Sequence, residues 1–507
     1  MSYTRSMLSL TRIGQRNGKL EKYMNIARPM PFGASTRTYR SAPVEDPPVS
    51  GTTLLCVGLI VVIFSRIPEL LSLFLQFNVR IVFVIAGFCL VGLLLQGGLA
   101  SGLRSTQGIL LVVFTIWMML SGVFGVWRSG SLDLFVTIWS KSLMIFFLIS
   151  GSIQTRKDLS WMMGGLSLAT FFIMMQSIIL GTDDSTRAAV SVGGGAGLSF
   201  GNANGLAMGL GIGIPYLLFQ ASVAKSFLIR VFCLLITMFS MFTIVRTGSR
   251  GGVLCLLLII LLVFLRVSIL QKFAMLLGLI VMASVGIAFV PRAAIERFRI
   301  VDRLETGEAR SAEASRLQRM QLLMDSISMT LKNPILGVGP GNFVTAAAKS
   351  EKERGVRETW LESHNAYTRV SSETGIPGFF MWSGILFISL FQVRALSKKA
   401  AASGDDFLAN ASFYSFVSLS GYSVLCLFDS NSFQFQLPML SGVAVAIFSL
   451  SGRSLLNNNL LPPSVPGGRS GPKDKFSRNR SLVVSSGTRP RLENLPVPQL
   501  QGRSPKR

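Results

Sequence analysis

Histidine is almost absent from this chain: one residue, His364, in 507. A site built on several imidazoles, whether zinc, a haem pair or a histidine box, cannot be assembled from one, so a metal held by a histidine cluster is excluded; no cofactor is expected. Charge is scarce as well. Only 14% of residues are charged, while half are hydrophobic and mean hydropathy is +0.52; a soluble domain carries about 25% charged residues. That leaves too little polar surface to clothe the roughly three soluble globules this length would suggest. Acidic residues are the rarer sign, 24 against 49 Lys and Arg, for a formal charge of +25. The five cysteines, Cys56, Cys89, Cys233, Cys255 and Cys426, all lie inside apolar runs without Cys-x-x-Cys spacing. They read as small hydrophobes.

The positive charge is concentrated at the ends. Residues 1–50 hold eight Lys/Arg against three Asp/Glu, and residues 452–507 hold eleven against two. Both stretches are rich in Pro, Gly, Ser and Arg, so they are expected to be disordered basic tails. Basic tails flanking membrane spans mark the cytoplasmic side and touch anionic headgroups. No aromatic interleaving or known module accompanies the charge, so nucleic acid is not an expected partner.

What the chain does contain is long apolar runs. A spanning helix needs about 20 mainly apolar residues, and twelve runs qualify: 52–66, 79–97, 108–127, 132–151, 159–180, 205–223, 227–245, 251–267, 271–290, 376–394, 407–428 and 433–451. The expected fold is therefore an all-α polytopic membrane protein with about twelve transmembrane helices across 51–451. The first run begins too late for a cleavable leader and reads as an uncleaved span. With both termini inside, the inner short loops hold ten Lys/Arg and the outer ones six, which supports cytoplasmic termini. Residues 291–373 then form one large outer loop, with thirteen Lys/Arg against eleven Asp/Glu. Leu317, Met320, Leu323, Met324, Ile327 and Leu331 recur in it at helical spacing, up to a stop at Asn333-Pro334, and a second helix is expected from about Ser363.

Four stretches could carry chemistry. In "TIVRTGSRGG", Arg246 and Arg250 stand beside a helix start, where guanidinium forks and helix amides could face one anion, or the side chains could snorkel to the interface. In "NPILGVGPGNF", three glycines permit either a ligand loop or a helix stop and turn. The stretch "ESHNAYTRVSSETGIPG" holds His364 about a dozen residues before a span, where a neutral imidazole could accept a hydroxyl proton; a chance placement is the alternative. In "FGNANGLA", Asn202 and Asn204 cap the next helix or bond a sugar, and capping is the favoured reading. Lys141, inside a span, is either functional or snorkelling.

Taken in order, "FGNANGLA", "TGSRGG", "NPILGVGPGNF" and "SHNAYTRVSSETGIPGF" resemble the bacterial O-antigen ligase and O-antigen/exopolysaccharide polymerase family, over roughly residues 190–395. The resemblance implies a membrane glycosyltransferase with a mostly helical periplasmic loop in the bacterial inner (cytoplasmic) membrane. Its donor is a glycan on undecaprenyl diphosphate and its acceptor a glycan hydroxyl, without metal or nucleotide. It also implies that His364 is catalytic and that Arg250 with Arg316 binds the diphosphate; Arg319 is close enough to replace Arg316. Arg246, which the resemblance does not demand, is a further candidate, and with Asn365 and Asn204 it completes the expected substrate contacts. A tryptophan that many relatives carry near Met320 is missing, which leaves that helix's register open. Polymerisation of exopolysaccharide repeats is weakly favoured, with ligation onto lipid A core as its rival and transport or lipid flipping as a different class. Membrane lipids and a chain-length-regulating copolymerase are further candidate partners.

Overall fold

The computed structural model describes residues 48–65, 67, 81–179, 181–184, 187–190, 203–289, 307–355 and 360–460. The expected disordered tails lie outside these residues, apart from 48–50 and 452–460. The described chain is helical except for one antiparallel hairpin, β1 (Gly181–Asp184) paired with β2 (Arg187–Val190). The architecture is thus all-helical as expected, and the hairpin is the one local addition among the described residues. It is only four residues per strand and sits between two apolar helices, too short to leave a period-2 signature.

The helices are α1 (Gly51–Ser65), α2 (Ile81–Leu95), α3 (Leu99–Leu103), α4 (Thr106–Val123), α5 (Arg128–Ser152), α6 (Arg156–Ile179), α7 (Ala203–Val223), α8 (Phe227–Arg246), α9 (Arg250–Arg266), α10 (Ile269–Phe289), α11 (Gly307–Lys332), α12 (Phe343–Glu353), α13 (Ala366–Ala402), α14 (Asp406–Leu425) and α15 (Gln436–Leu460). Each of the twelve apolar runs falls on a helix. Six of them, α4 to α8 and α13, are long and apolar enough to cross a membrane. The helix from the last run, α15, continues to Leu460, past residue 451 where the sequence placed the start of the tail.

Capping residues set the helix starts. The Ser105 hydroxyl accepts from the Gly108 amide at 2.9 Å to open α4, and the Asp405 carboxylate accepts from Leu408 at 3.2 Å to open α14. Asp405 also holds Arg156 in a two-pronged pair at 3.1 and 2.6 Å, tying the start of α6 to that cap. The helix α7 is buried along most of its length and packs against α6, α8 and α14. Its Gly and Ala residues allow that approach, since dispersion between close backbones replaces the hydrophobic drive that lipid removes. By contrast α8 exposes Phe227, Leu228, Phe232, Leu235 and Phe239, as a lipid-facing helix does. Lys141 lies exposed on α5, just past the π-helical turn Phe135–Trp139.

The stretch from 307 to 355 has a small core of its own, made of Leu322, Met329, Val338, Phe343 and Ala347. The first predicted loop helix is α11, ending at Lys332 before Asn333-Pro334. The second predicted helix starts at Ala366, and it runs without a loop into the tenth apolar run as α13. Gly375, at φ 73°, kinks α13, because a Cβ there would meet the Ile335 carbonyl oxygen.

Candidate active site

The glycine stretch 333–343 forms a strap laid across this kink. Its amides from Gly337 onwards are engaged: Gly337 donates to the Asn333 carbonyl at 3.0 Å, Val338 to Ser372 at 2.9 Å, Gly339 to Glu373 at 3.0 Å and Asn342 to Gly339 at 3.1 Å. Gly341 and Phe343 donate to the two carboxylate oxygens of buried Glu373, at 2.6 and 3.1 Å. Gly337, Gly339 and Gly341 adopt φ of 68°, 99° and 78°, which side chains resist. With Pro340 lacking an N–H, the strap from Gly337 to Phe343 has no amide left for a ligand. Of the two readings of these glycines, the stop and turn is the one the structure bears out.

Glu373 also accepts from Arg369 Nε at 3.2 Å, the i,i+4 pairing of a helix. The same guanidinium pairs with Glu362 at 3.5 Å, donates to the Ser430 carbonyl at 2.8 Å and lies 5.8 Å from the Phe433 ring. Arg369 is thus a satisfied structural cation. It ties the strap to the turn 426–432, between α14 and α15.

That turn clamps His364. The His364 amide donates to the Ser430 hydroxyl at 3.0 Å, and Ala366 donates to the Cys426 carbonyl at 2.8 Å. The Ser432 hydroxyl donates to the Ala366 carbonyl at 3.0 Å. Held this way, His364 has φ 53°, the sole positive value outside glycine among the described residues. Strain of this kind costs about 1–3 kcal/mol and clusters where a side chain must be aimed. The next residue, Asn365, caps α13, its Oδ1 accepting from Tyr367 and Thr368 at 3.0 and 3.1 Å. Its side-chain carbonyl oxygen is thereby committed to the helix.

Arg250 is the first residue of α9. The Ser249 hydroxyl caps that helix, accepting from the Gly252 amide at 3.2 Å, and a Cβ on Gly251 would strike Phe428, so α9 starts against the turn that holds His364. Arg319, half-buried on α11, lies close enough to both Arg250 and His364 for its charge to act on each. Burial, and then Arg250, lower the Arg319 pKa from its ordinary value. Burial and then Arg319 lower the His364 pKa below 6.5, and Glu362 opposes them. Among the described residues neither Arg250 nor Arg319 pairs with a carboxylate. Two such cations beside a deprotonated imidazole form a receptor for an anion, next to a proton acceptor.

The other expected contacts have these places in the fold. Arg316 is exposed one turn before Arg319, and Arg246 ends α8 with its guanidinium 6.0 Å from the Phe242 ring. Asn204, expected as a cap, lies inside the first turn of α7, while Asn202 is outside the described residues. The sequence reading passed over Glu362, Arg369, Glu373 and Asp429. Asp429 is a buried carboxyl in the 426–432 turn whose Oδ2 has no hydrogen-bond partner; burial foremost, with Glu362 adding to it, pushes its pKa up to about 7. A lone acid in a short turn between two apolar runs was the available signal, and the i,i+4 spacing was the signal for Arg369 and Glu373.

Residues 233–383, which hold Arg246, Arg250, Arg316, Arg319, His364 and the strap, match the family model described as O-antigen ligase. This segment belongs to the O-antigen ligase family. None of the curated proteins compared with it matches the chain. Members of that family are ligases and polymerases acting on glycans, and the matched segment of this chain carries the cation pair and the histidine together.

Proposed function

We propose that the protein is a glycosyltransferase of polysaccharide biosynthesis, joining a glycan carried on undecaprenyl diphosphate to an acceptor sugar hydroxyl. One observation carries the reading: Arg319 is near enough to both Arg250 and His364 for its charge to act on each, and neither arginine is in an ion pair with a carboxylate among the described residues. Like charges brought together cost free energy unless an anion joins them, and a diphosphate offers oxygens to both forks. A lipid diphosphate is already activated, so bond formation needs neither ATP nor a metal. The acceptor oxygen bonds to sugar C1 as the bond from C1 to the diphosphate oxygen breaks, with inversion. The hydroxyl proton passes to His364, and the electron pair leaves on the diphosphate, where the arginines offset its charge.

In this reading the chain crosses the bacterial inner membrane twelve times, with both termini cytoplasmic and residues 291–373 periplasmic. The acceptor is the growing repeat of an O-antigen or exopolysaccharide, or else lipid A core. Analysis of the product separates these, as long polymer on the carrier lipid or glycan moved to another lipid. In cells, His364→Ala is expected to stay in the membrane at parental abundance while lipid-linked repeats accumulate unjoined. Glycan of normal chain length in that variant removes His364 from the reaction.

A further inference from the structure

The loop helix α11 has two faces, and the apolar one is turned outwards. Leu317 (63% exposed), Met320, Met324 (53%), Ile327 and Leu331 (71%) recur at three- and four-residue steps, and Ile335 extends the row beyond the helix end. At about 100° per residue these side chains share one narrow stripe. Arg319, Leu322 (3% exposed), Ser326 and Met329 (8%) lie on the opposite side, against the small core and the cation cluster. The amphipathic spacing seen in the sequence is therefore real, but the stripe faces away from the protein.

Three observations say what covers it. The stripe runs on into the exposed surface of a membrane-length helix: the Ile376 amide donates to the Pro334 carbonyl at 2.8 Å, and Ile335, Ile376 and Phe380 are exposed in succession. Exposed Trp127 stands beside the strap, where the Val126 amide donates to Val338 at 2.9 Å, and exposed Trp360 leads toward His364. Tryptophan concentrates at membrane–water boundaries. Exposed Arg316 and Lys332 flank the stripe at its two ends, placed for lipid phosphates.

We propose that α11 lies in the headgroup–acyl boundary of one leaflet, with the stripe from Leu317 to Ile335 among acyl chains of anionic phospholipid and Arg319 on the protein side. The helix is then a wall shared by the bilayer and the cation cluster. A lipid-borne diphosphate reaches Arg250 and Arg319 at its own depth, without leaving the leaflet. This consequence for the donor rests on the function proposed above; the immersion does not.

The test uses the full chain in phosphatidylethanolamine and phosphatidylglycerol vesicles, with a nitroxide on Met324→Cys, Leu331→Cys or Gln318→Cys. Gln318 is exposed but lies off the stripe, about 100° around the helix from Leu317 on the side away from Met320. The native cysteines are all buried, so the label reports the introduced thiol. Oxygen should relax the labels at 324 and 331 more than a water-soluble nickel chelate does, with the ratio reversed at Gln318. Nickel accessibility at 324 equal to that at 318 overturns the proposal. Spin–spin broadening at 324 that vanishes on dilution with unlabelled protein also overturns it, since a second copy would then cover the stripe. Failure of the donor reading would leave this depth profile unchanged, so the two outcomes are distinguishable.

Discussion

The glycine strap and the cation cluster lie on either side of one turn of chain, and they use polar groups in opposite ways. In the strap every amide from Gly337 to Phe343 has an acceptor, and the cation behind it, Arg369, has two carboxylates and a carbonyl. In the cluster the charge of Arg319 acts on both Arg250 and His364, and neither arginine is in an ion pair with an acid among the described residues. A satisfied network rigidifies; an unsatisfied one marks the place where a ligand completes it. The glycine-rich stretch, which looks more like a binding loop in one dimension, is the scaffold. The scattered arginines are the proposed site.

The sharpest way to break this contrast is to open the strap. Glu373→Ala takes from Arg369 its buried carboxylate and leaves the amides of Gly341 and Phe343 unpaired, and breaking a buried pair of this kind costs about 3–5 kcal/mol. A large drop in the thermal unfolding midpoint of the purified protein is expected; an unchanged midpoint would mean that Glu373 does not hold the strap. Removing Arg319 should act on rate instead. Arg319→Ala is expected to lower turnover about 10²–10³-fold, the loss seen when one donor to a developing anion is removed, with an unfolding midpoint near the parent's. It should also move the acid limb of the pH–rate profile. His364 must be neutral to accept a proton, so activity falls as pH drops through its pKa, which burial and Arg319 hold below 6.5. Without Arg319 that limb moves to higher pH, and a shift to lower pH contradicts the assignment. The smallest effect is expected at Asn365. Asn365→Ala should cost about 1 kcal/mol of stability, as the loss of a helix cap does, and leave the donor KM unchanged. A raised KM with no loss of stability would move Asn365 from the scaffold side of the comparison to the site.

Much of the membrane core was legible because helix length in a bilayer is set by composition. The runs 227–245 and 251–267 reappear as Phe227–Arg246 and Arg250–Arg266, each within a residue at either end. The loop was legible only in outline. Its first helix ends at Lys332 as expected, but α12 has no long apolar run, and the second loop helix meets the following span directly, at a kink where Gly375 takes a non-helical φ. Arg316 and Arg319 both fitted the sequence pattern, and three residues of register on one helix separate an exposed side chain from a half-buried one whose charge acts on His364.

Composition by itself determined that this chain is a membrane protein, and local spacing determined where its helices run, because burial in lipid and the helical period are both properties of neighbours along the chain. His364 and Arg250 were visible for the same reason, as unusual residues in short distinctive stretches. Only the tertiary structure decided that the strap has no amide left to give and that Arg369 and Glu373 belong to the scaffold. It alone turned the apolar stripe of α11 outwards. Those outcomes depend on which groups meet from distant parts of the sequence, where hydrogen bonds and charges are satisfied or left open by the fold and by nothing local.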